Sequence, residues 1–234
     1  PSFSNKNLVI LAISGFIGVG IADLFFLESL KKIGSSLSAI VATVYAPSVF
    51  IIAYIFFNEI TTLNVYLGTF LILGGIAVST YNVPKQITSS QLIAGVLFGA
   101  LAQVLTAASV LSVKPIMLDN PILYVALIRF GVGLMSAIIF MLLKSGYSLV
   151  LTTFQQGYRN IFLLGGSFFG TYLSVILWLA GYKYTLAGRA AIYNQLSTVL
   201  ISIMAVYFLK DILTKKKKIG IFLSFIGAVI VSLD

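Results

Sequence analysis

Eight runs of apolar residues, with nearly every charge confined to the connectors between them, constrain this chain more than any other feature of it. They span Leu8–Leu30, Leu37–Phe57, Leu63–Tyr81, Gln91–Leu111, Pro121–Leu143, Ile161–Tyr182, Ala190–Leu209 and Ile219–Leu233. A bilayer core about 30 Å thick is crossed by about 20 apolar residues in a helix, which is the scale of these runs. Backbone groups in lipid must be satisfied inside the spanning segment, and runs this long and continuous are not barrel strands. The predicted fold class is therefore an all-α membrane protein with eight transmembrane helices in a bundle. The boundaries carry charges, Gly, Pro and Asn: Lys31-Lys32-Ile33-Gly34, Asn58-Glu59, Asn82-Val83-Pro84-Lys85, Lys114-Pro115, Asp119-Asn120-Pro121, Arg159, Lys210-Asp211 and Lys215 to Lys218. The first run follows Lys6 as a signal peptide would, but it is too long, holds Asp23 and Glu28, and has a later counterpart. The longest connector, from Lys144 to Asn160, is too short for a soluble domain.

Composition decides which chemistries remain. Of 234 residues 59% are hydrophobic and 9% charged, against about 25% charged in a soluble domain, so the net charge of +9 does not point to nucleic acid. The absence of Cys and His removes disulfides, thiol chemistry, zinc sites and imidazole catalysis. No Gly-Lys pair supplies a phosphate-binding loop of the Walker type. The expectation is transport without a cofactor or metal, not an enzyme. The alternative outside transport is a structural or lipid-handling subunit of a membrane complex.

The chain also repeats itself. Shifted by 152 positions, residues 15–80 align without gaps on 167–232, placing Phe16 on Phe168, Gly18 on Gly170, Leu27 on Leu179, Lys31 on Lys183, Ala53 on Ala205, Gly68 on Gly220 and Gly75 on Gly227. Ser14, Gly18 and Ala22, spaced by four, fall on Gly166, Gly170 and Ser174, a small-residue spacing that lets helices pack closely in lipid. Glu59, closing the second run, falls on Asp211, closing the seventh. Runs 1 to 3 thus correspond to 6 to 8. Five crossings is an odd number, so the copies have opposite orientations, the inverted repeat of secondary transporters. Runs 4 and 5 have no counterpart in the chain. The repeat predicts two further helices before Pro1, in a bundle of ten built from two inverted five-helix repeats.

Gly15-Phe16-Ile17-Gly18 through Gly20-Ile21-Ala22-Asp23-Leu24-Phe25-Phe26, Leu30-Lys31-Lys32-Ile33-Gly34, Pro47, Phe57-Asn58-Glu59 and Leu67-Gly68 through Gly74-Gly75 resemble one EamA-type half of the drug/metabolite transporter superfamily. Residues 1–84 would be the remainder of the first repeat, with three helices, and 85–234 the second, with five. The family's usual Gly before the acidic residue is Asn58 here and Lys210 in the second copy, Pro47 becomes Val199, and Asp23 becomes Val175. The resemblance implies a secondary active transporter in the plasma (inner) membrane, moving small metabolites such as amino acids, related compounds or drugs by alternating access.

Few residues can carry the chemistry of a pathway. A charge near mid-bilayer costs roughly 2.5–3.5 kcal/mol, so it faces a cavity, a partner or a pathway. Arg129, about ten residues or roughly 15 Å into its run, is a candidate for an anionic substrate group or a gate, or else pairs with a carbonyl or with Asp23. Asp23 is a candidate proton carrier, or a structural ion partner. Glu28 lies three and four residues before Lys31 and Lys32 and reads as a local surface pair. Uncharged stripes offer a second set. Tyr193, Asn194 and Gln195 open the seventh run, with Asn194, Ser197, Ile201 and Ala205 on one face; Gly99, Gln103 and Thr106 do the same in the fourth. Such stripes line an aqueous cavity or make interhelical hydrogen bonds. Tyr45 and Pro47 mark a kink whose freed carbonyls could face substrate. Partners are thus a small molecule, protons and the bilayer.

Placing alternate loops on opposite sides puts Lys31, Lys32, Lys85, Lys144, Arg159, Lys210 and Lys215 to Lys218 on one face, and Lys6, Lys114, Lys183 and Arg189 on the other. The richer face would be cytoplasmic, putting Asp234 outside. Members of the resembled family have both termini inside, so the sequence leaves the orientation open.

Overall fold

The computed structural model describes residues 4–80, 87–208 and 214–232, and every regular element among them is helical. In chain order these are α1 (Asn5–Gly15), a π-helical segment π1 (Phe16–Ile21), α2 (Ala22–Ala42), α3 (Tyr45–Phe57), α4 (Leu63–Thr80), α5 (Ser89–Asp119) and α6 (Ile122–Gly157). They continue with α7 (Ile161–Ser167), a second π-helical segment π2 (Phe168–Leu173), α8 (Ser174–Tyr184), α9 (Ala187–Phe208) and α10 (Lys215–Ser232). Among the described residues five rods are long and apolar enough to cross a bilayer: Asn5–Gly34, Leu37–Phe57, Ser89–Asp119, Ile122–Lys144 and Ile161–Tyr184. Leu63–Val78 and Lys218–Val231 are shorter apolar helices. The expected run Ala190–Leu209 falls in α9, with Leu209 outside the described residues, as are Pro84, Lys85, Lys210 and Asp211.

Local chemistry sets the breaks. Gly34 takes φ 74° and ψ 172°, a conformation open to a residue without Cβ, and separates the first two rods at the expected boundary. Two other boundaries differ from expectation. Lys114-Pro115 does not end its helix: α5 runs 31 residues, through Pro115, to Asp119, and the Asn120 side chain then donates to the Ile116 carbonyl at 2.9 Å. A proline costs its helix one hydrogen bond, and here Val113, Ile116 and Met117 around it are buried, so packing holds the helix together across it. The connector from Lys144 to Asn160 is largely helical, because α6 resumes after a break at Gly146, where φ is 79°, and continues to Gly157.

The described residues form two compact units, one from Pro1–Ile21 and Ser112–Tyr184, the other from Ala22–Leu111 and Thr185–Asp234. Each draws on both halves of the sequence. In the first, α1 and π1 lie against α6 so closely that a Cβ on Gly15 would collide with the Arg129 backbone, and one on Gly20 with the Ser136 side chain. A Cβ on Gly133 would strike Val19.

In the second unit, α4 and α10 make the most extensive pairing. A Cβ on Gly68 would lie 2.6 Å from the Gly227 carbonyl oxygen, and one on Gly75 would lie 2.5 Å from that of Gly220. Low residue numbers on α4 meet high ones on α10, so the helices are antiparallel. The shift of 152 carries the pair Gly68 and Gly227 onto Gly220 and Gly75, and the pair Gly75 and Ser224 onto Gly227 and Ile72. The Ser224 hydroxyl donates to the Ile72 carbonyl at 3.4 Å, across a separation of 152 residues, so that contact maps onto itself. Contacts that return to themselves under the repeat are what a two-fold axis between antiparallel copies produces. The π-helical segments obey the same register, π2 lying 152 residues after π1 at both ends. Also in this unit, α5 packs on α2 through glycines one turn apart: a Cβ on Gly95 would strike Ile33, and one on Gly99 would lie 2.7 Å from both the Ser29 hydroxyl and Val41.

Candidate functional site

Pro47 accounts for the break between α2 and α3 in the second unit. It has no N–H for the carbonyl four residues back and its ring crowds that carbonyl, so α2 stops at Ala42 and α3 starts at Tyr45. Hydroxyls add to the backbone bonds at the break: the Thr43 hydroxyl donates to the Ile40 carbonyl at 2.6 Å and the Ser48 hydroxyl to that of Val44 at 2.8 Å, alongside the N–H groups of the same two residues. The Ala42 carbonyl instead accepts from the Gln195 side-chain amide on α9, at 3.3 Å. Tyr45 and Gln195 are buried. Of the two readings open for the polar stripe on α9, Gln195 follows the interhelical one, whereas Tyr193, Asn194 and Ser197 are exposed. The side chains of Ile201 and Ala205 lie outside the described residues. On α5, Gln103 is half-buried one turn beyond Gly99, and the Thr106 hydroxyl turns back to its own helix at the Ala102 carbonyl, 2.9 Å away.

Asp23, in the first turn of α2, is exposed. Glu28 pairs with Lys31 at 2.9 Å, the local contact read from the spacing. In the first unit, Arg129 is the largest of the fully buried side chains, at 1% exposure. It stands seven residues after Ile122, the first residue of α6, so its depth is nearer 10 Å than the 15 Å expected from the run. Ser14, Gly18 and Ala22 are buried. Their equivalents Gly166, Gly170 and Ser174 are exposed, and a Cβ on either glycine would meet nothing within 4 Å.

Two polar contacts escaped the sequence reading. The Glu59 carboxylate accepts from the backbone N–H of Ala187, the first residue of α9, at 2.7 Å, and so caps that helix from 128 residues away. In the first unit the Lys183 ammonium donates to the Asn120 carbonyl at 2.9 Å, just past the end of α5, and Lys114 on the same helix is buried. The equivalence of Glu59 with Asp211 marked Glu59 as a position that matters, but nothing in a sequence tells which helix end an acid will reach. Among the described residues no three acidic side chains come together as a metal site would require.

An all-α membrane protein, with apolar rods crossing the bilayer and few internal charges, is the class that this architecture defines. The model of the EamA-like transporter family matches residues 1–81 and 93–233, and the chain belongs to that family. It is an integral, multi-pass membrane protein of a family that transports small molecules. No curated protein matches it. A solved structure described as a crystal structure of a protein superposes with a TM-score of 0.72 at 15% identity, over 100% of this chain and 80% of that one. The likeness is one of fold.

Proposed function

We propose that the chain is a secondary active transporter that moves small metabolites, amino acids and related compounds or drugs, across the plasma (inner) membrane by alternating access. The observation that carries this reading is the reciprocal contact set of α4 and α10. Alternating access in an inverted repeat exchanges the conformations of the two copies. Contacts that map onto themselves, such as Ile72 with Ser224, survive the exchange and serve as its pivot. A contact such as Glu59 with Ala187 joins non-equivalent positions and is free to differ between states.

Within this reading Tyr45 and Gln195 hold the crossing of the broken helix with α9, while Gln103, Tyr193 and Asn194 offer polar groups to solute. Arg129 supplies the cation for an anionic group, and Asp23 the proton coupling. Residues 1–84 are the remainder of the first repeat, with three helices, and 85–234 the second, with five. Reconstitution into proteoliposomes tests the proposal: labelled amino acids should accumulate against their gradient when a proton gradient is imposed. Vesicles that move no small solute but exchange lipid between leaflets would favour the lipid-handling alternative.

A further inference from the structure

Between the membrane spans Ile122–Lys144 and Ile161–Tyr184 the chain forms helix where the sequence suggests a plain connector. Gly146, at φ 79° and ψ 168°, kinks α6 just past the end of the first span. That conformation is open to a residue without Cβ. The helix then runs on to Gly157, whose carbonyl accepts from the Asn160 N–H at 3.2 Å, while the Asn160 side chain caps α7. Consecutive spans end and begin at the same membrane surface. Residues 147–157 make a helix about 15 Å long at 1.5 Å per residue. Upright, it would end that far above the bilayer, beyond what one tight turn can recover. Only an orientation along the surface joins the two spans.

The side chains suit that position. On a helix Tyr147, Val150, Leu151, Phe154 and Tyr158 share an arc of about 100°, with Ser148, Thr152, Gln155 and Gln156 on the other side. Tyr158, the C-cap, keeps helical angles and so continues the arc. Val150 is buried, but Tyr147, Phe154 and Tyr158 are each more than half exposed. Charge says what covers them. Residues 144–160 include no acid, and Lys144 and Arg159 bracket the segment. The Arg159 guanidinium lies 5.6 Å from the centre of the Tyr158 ring and its Nε donates to the Tyr158 hydroxyl at 3.1 Å. The Lys144 ammonium lies 5.6 Å from the centre of the Phe140 ring. Rings with cations beside them belong at headgroup level, where Tyr is enriched and Lys and Arg reach for phosphate.

We propose that residues 147–157 form an interfacial helix, lying in the boundary between headgroups and acyl chains. Leu151 and Phe154 face the hydrocarbon and Ser148 and Gln155 face water, as in other helices that lie in a membrane surface. The occupant of the exposed apolar face is lipid. The proposal rests on the membrane class of the chain alone, and stands whether or not the chain transports metabolites.

Nitroxide labelling of the full-length protein, in vesicles of phosphatidylcholine and phosphatidylglycerol, tests it. Each variant carries one label as its only cysteine: Ser148→Cys, Leu151→Cys, Phe154→Cys or Gln155→Cys. Oxygen concentrates in hydrocarbon and a nickel chelate stays in water, so the ratio of their relaxing effects reports the surroundings of each label. That ratio should be several-fold higher at 151 and 154 than at 148 and 155. Equal access of the nickel chelate at all four positions would place the helix in water and overturn the proposal. Broad spectra shielded from both reagents at 151 and 154 would overturn it too, because protein and not lipid would then cover the face.

Discussion

Arg129 is a fully buried cation in a membrane helix, and its neutralisation separates a binding role from a structural one. A charged hydrogen bond to a substrate anion contributes about 1.5–3 kcal/mol, so Arg129→Gln should lower uptake of anionic or zwitterionic solutes by about tenfold or more. Glutamine keeps much of the bulk while shedding the cost of burying a charge, so yield and detergent stability should stay near wild type. A variant that fails to fold would make Arg129 architectural instead. Asp23 calls for a different measurement. The repeat sets Val175 opposite it, so only one copy has an acid there, and a purely architectural need would recur in both. Asp23→Asn, fixed in the neutral form, should lose proton-driven accumulation yet keep solute exchange, read as tracer counterflow in the same vesicles. Accumulation that keeps its wild-type dependence on the gradient would remove Asp23 from the coupling. At this scale the sequence was legible where one residue type decides the matter: a lone Arg in an apolar run, or an acid three residues before a lysine. It was illegible where a neighbour from elsewhere decides. The spacing of Gln195 suits a cavity and a helix contact equally, and only the Ala42 carbonyl distinguishes them.

Elements begin and end for reasons that are partly local. Gly34 and Pro47 announce their breaks because backbone sterics impose them whatever surrounds them. Pro115 announced one that does not occur, because buried neighbours hold α5 together across it. The π-helical segments had no signal in the sequence; the structure shows them, and they then prove equivalent under the repeat. The Glu59 cap lies between these cases. Its carboxylate satisfies an N–H that α9 cannot satisfy for itself, and places negative charge at the positive end of the helix dipole. Losing such a cap costs about 1 kcal/mol. Glu59→Ala should therefore lower the thermal midpoint in detergent, and Glu59→Gln, which keeps an acceptor but not the charge, should recover part of the loss. Equal midpoints for all three proteins would mean that solvent caps α9 as well as Glu59 does. Pro47→Ala tests the neighbouring break. An N–H restored at position 47 would let the helix run straight and deprive Gln195 of its acceptor, so uptake should fall without loss of thermal stability. Unchanged uptake would show the break to be dispensable.

The parity of the repeat bears on the whole molecule. On the topology expected from the sequence five crossings separate equivalent positions, which would set equivalent residues on opposite sides of the membrane, and the antiparallel packing of α4 on α10 accords with that. Leu63 and Lys215 are equivalent under the shift of 152, each begins one of those two helices, and both are exposed. The chain has no cysteine, so Leu63→Cys and Lys215→Cys each give a single reporter. In sealed, oriented vesicles a membrane-impermeant maleimide should label one from outside, and the other only after permeabilisation. The charge count alone would have Lys215→Cys label from the cytoplasmic side and Leu63→Cys from the other, whereas a cytoplasmic C-terminus gives the reverse. If both label from one side, the inverted relation is lost, and the exchange of states that depends on it goes too. If they label from opposite sides with the assignment reversed, the inverted relation stands, and basic residues outside this sequence set the orientation.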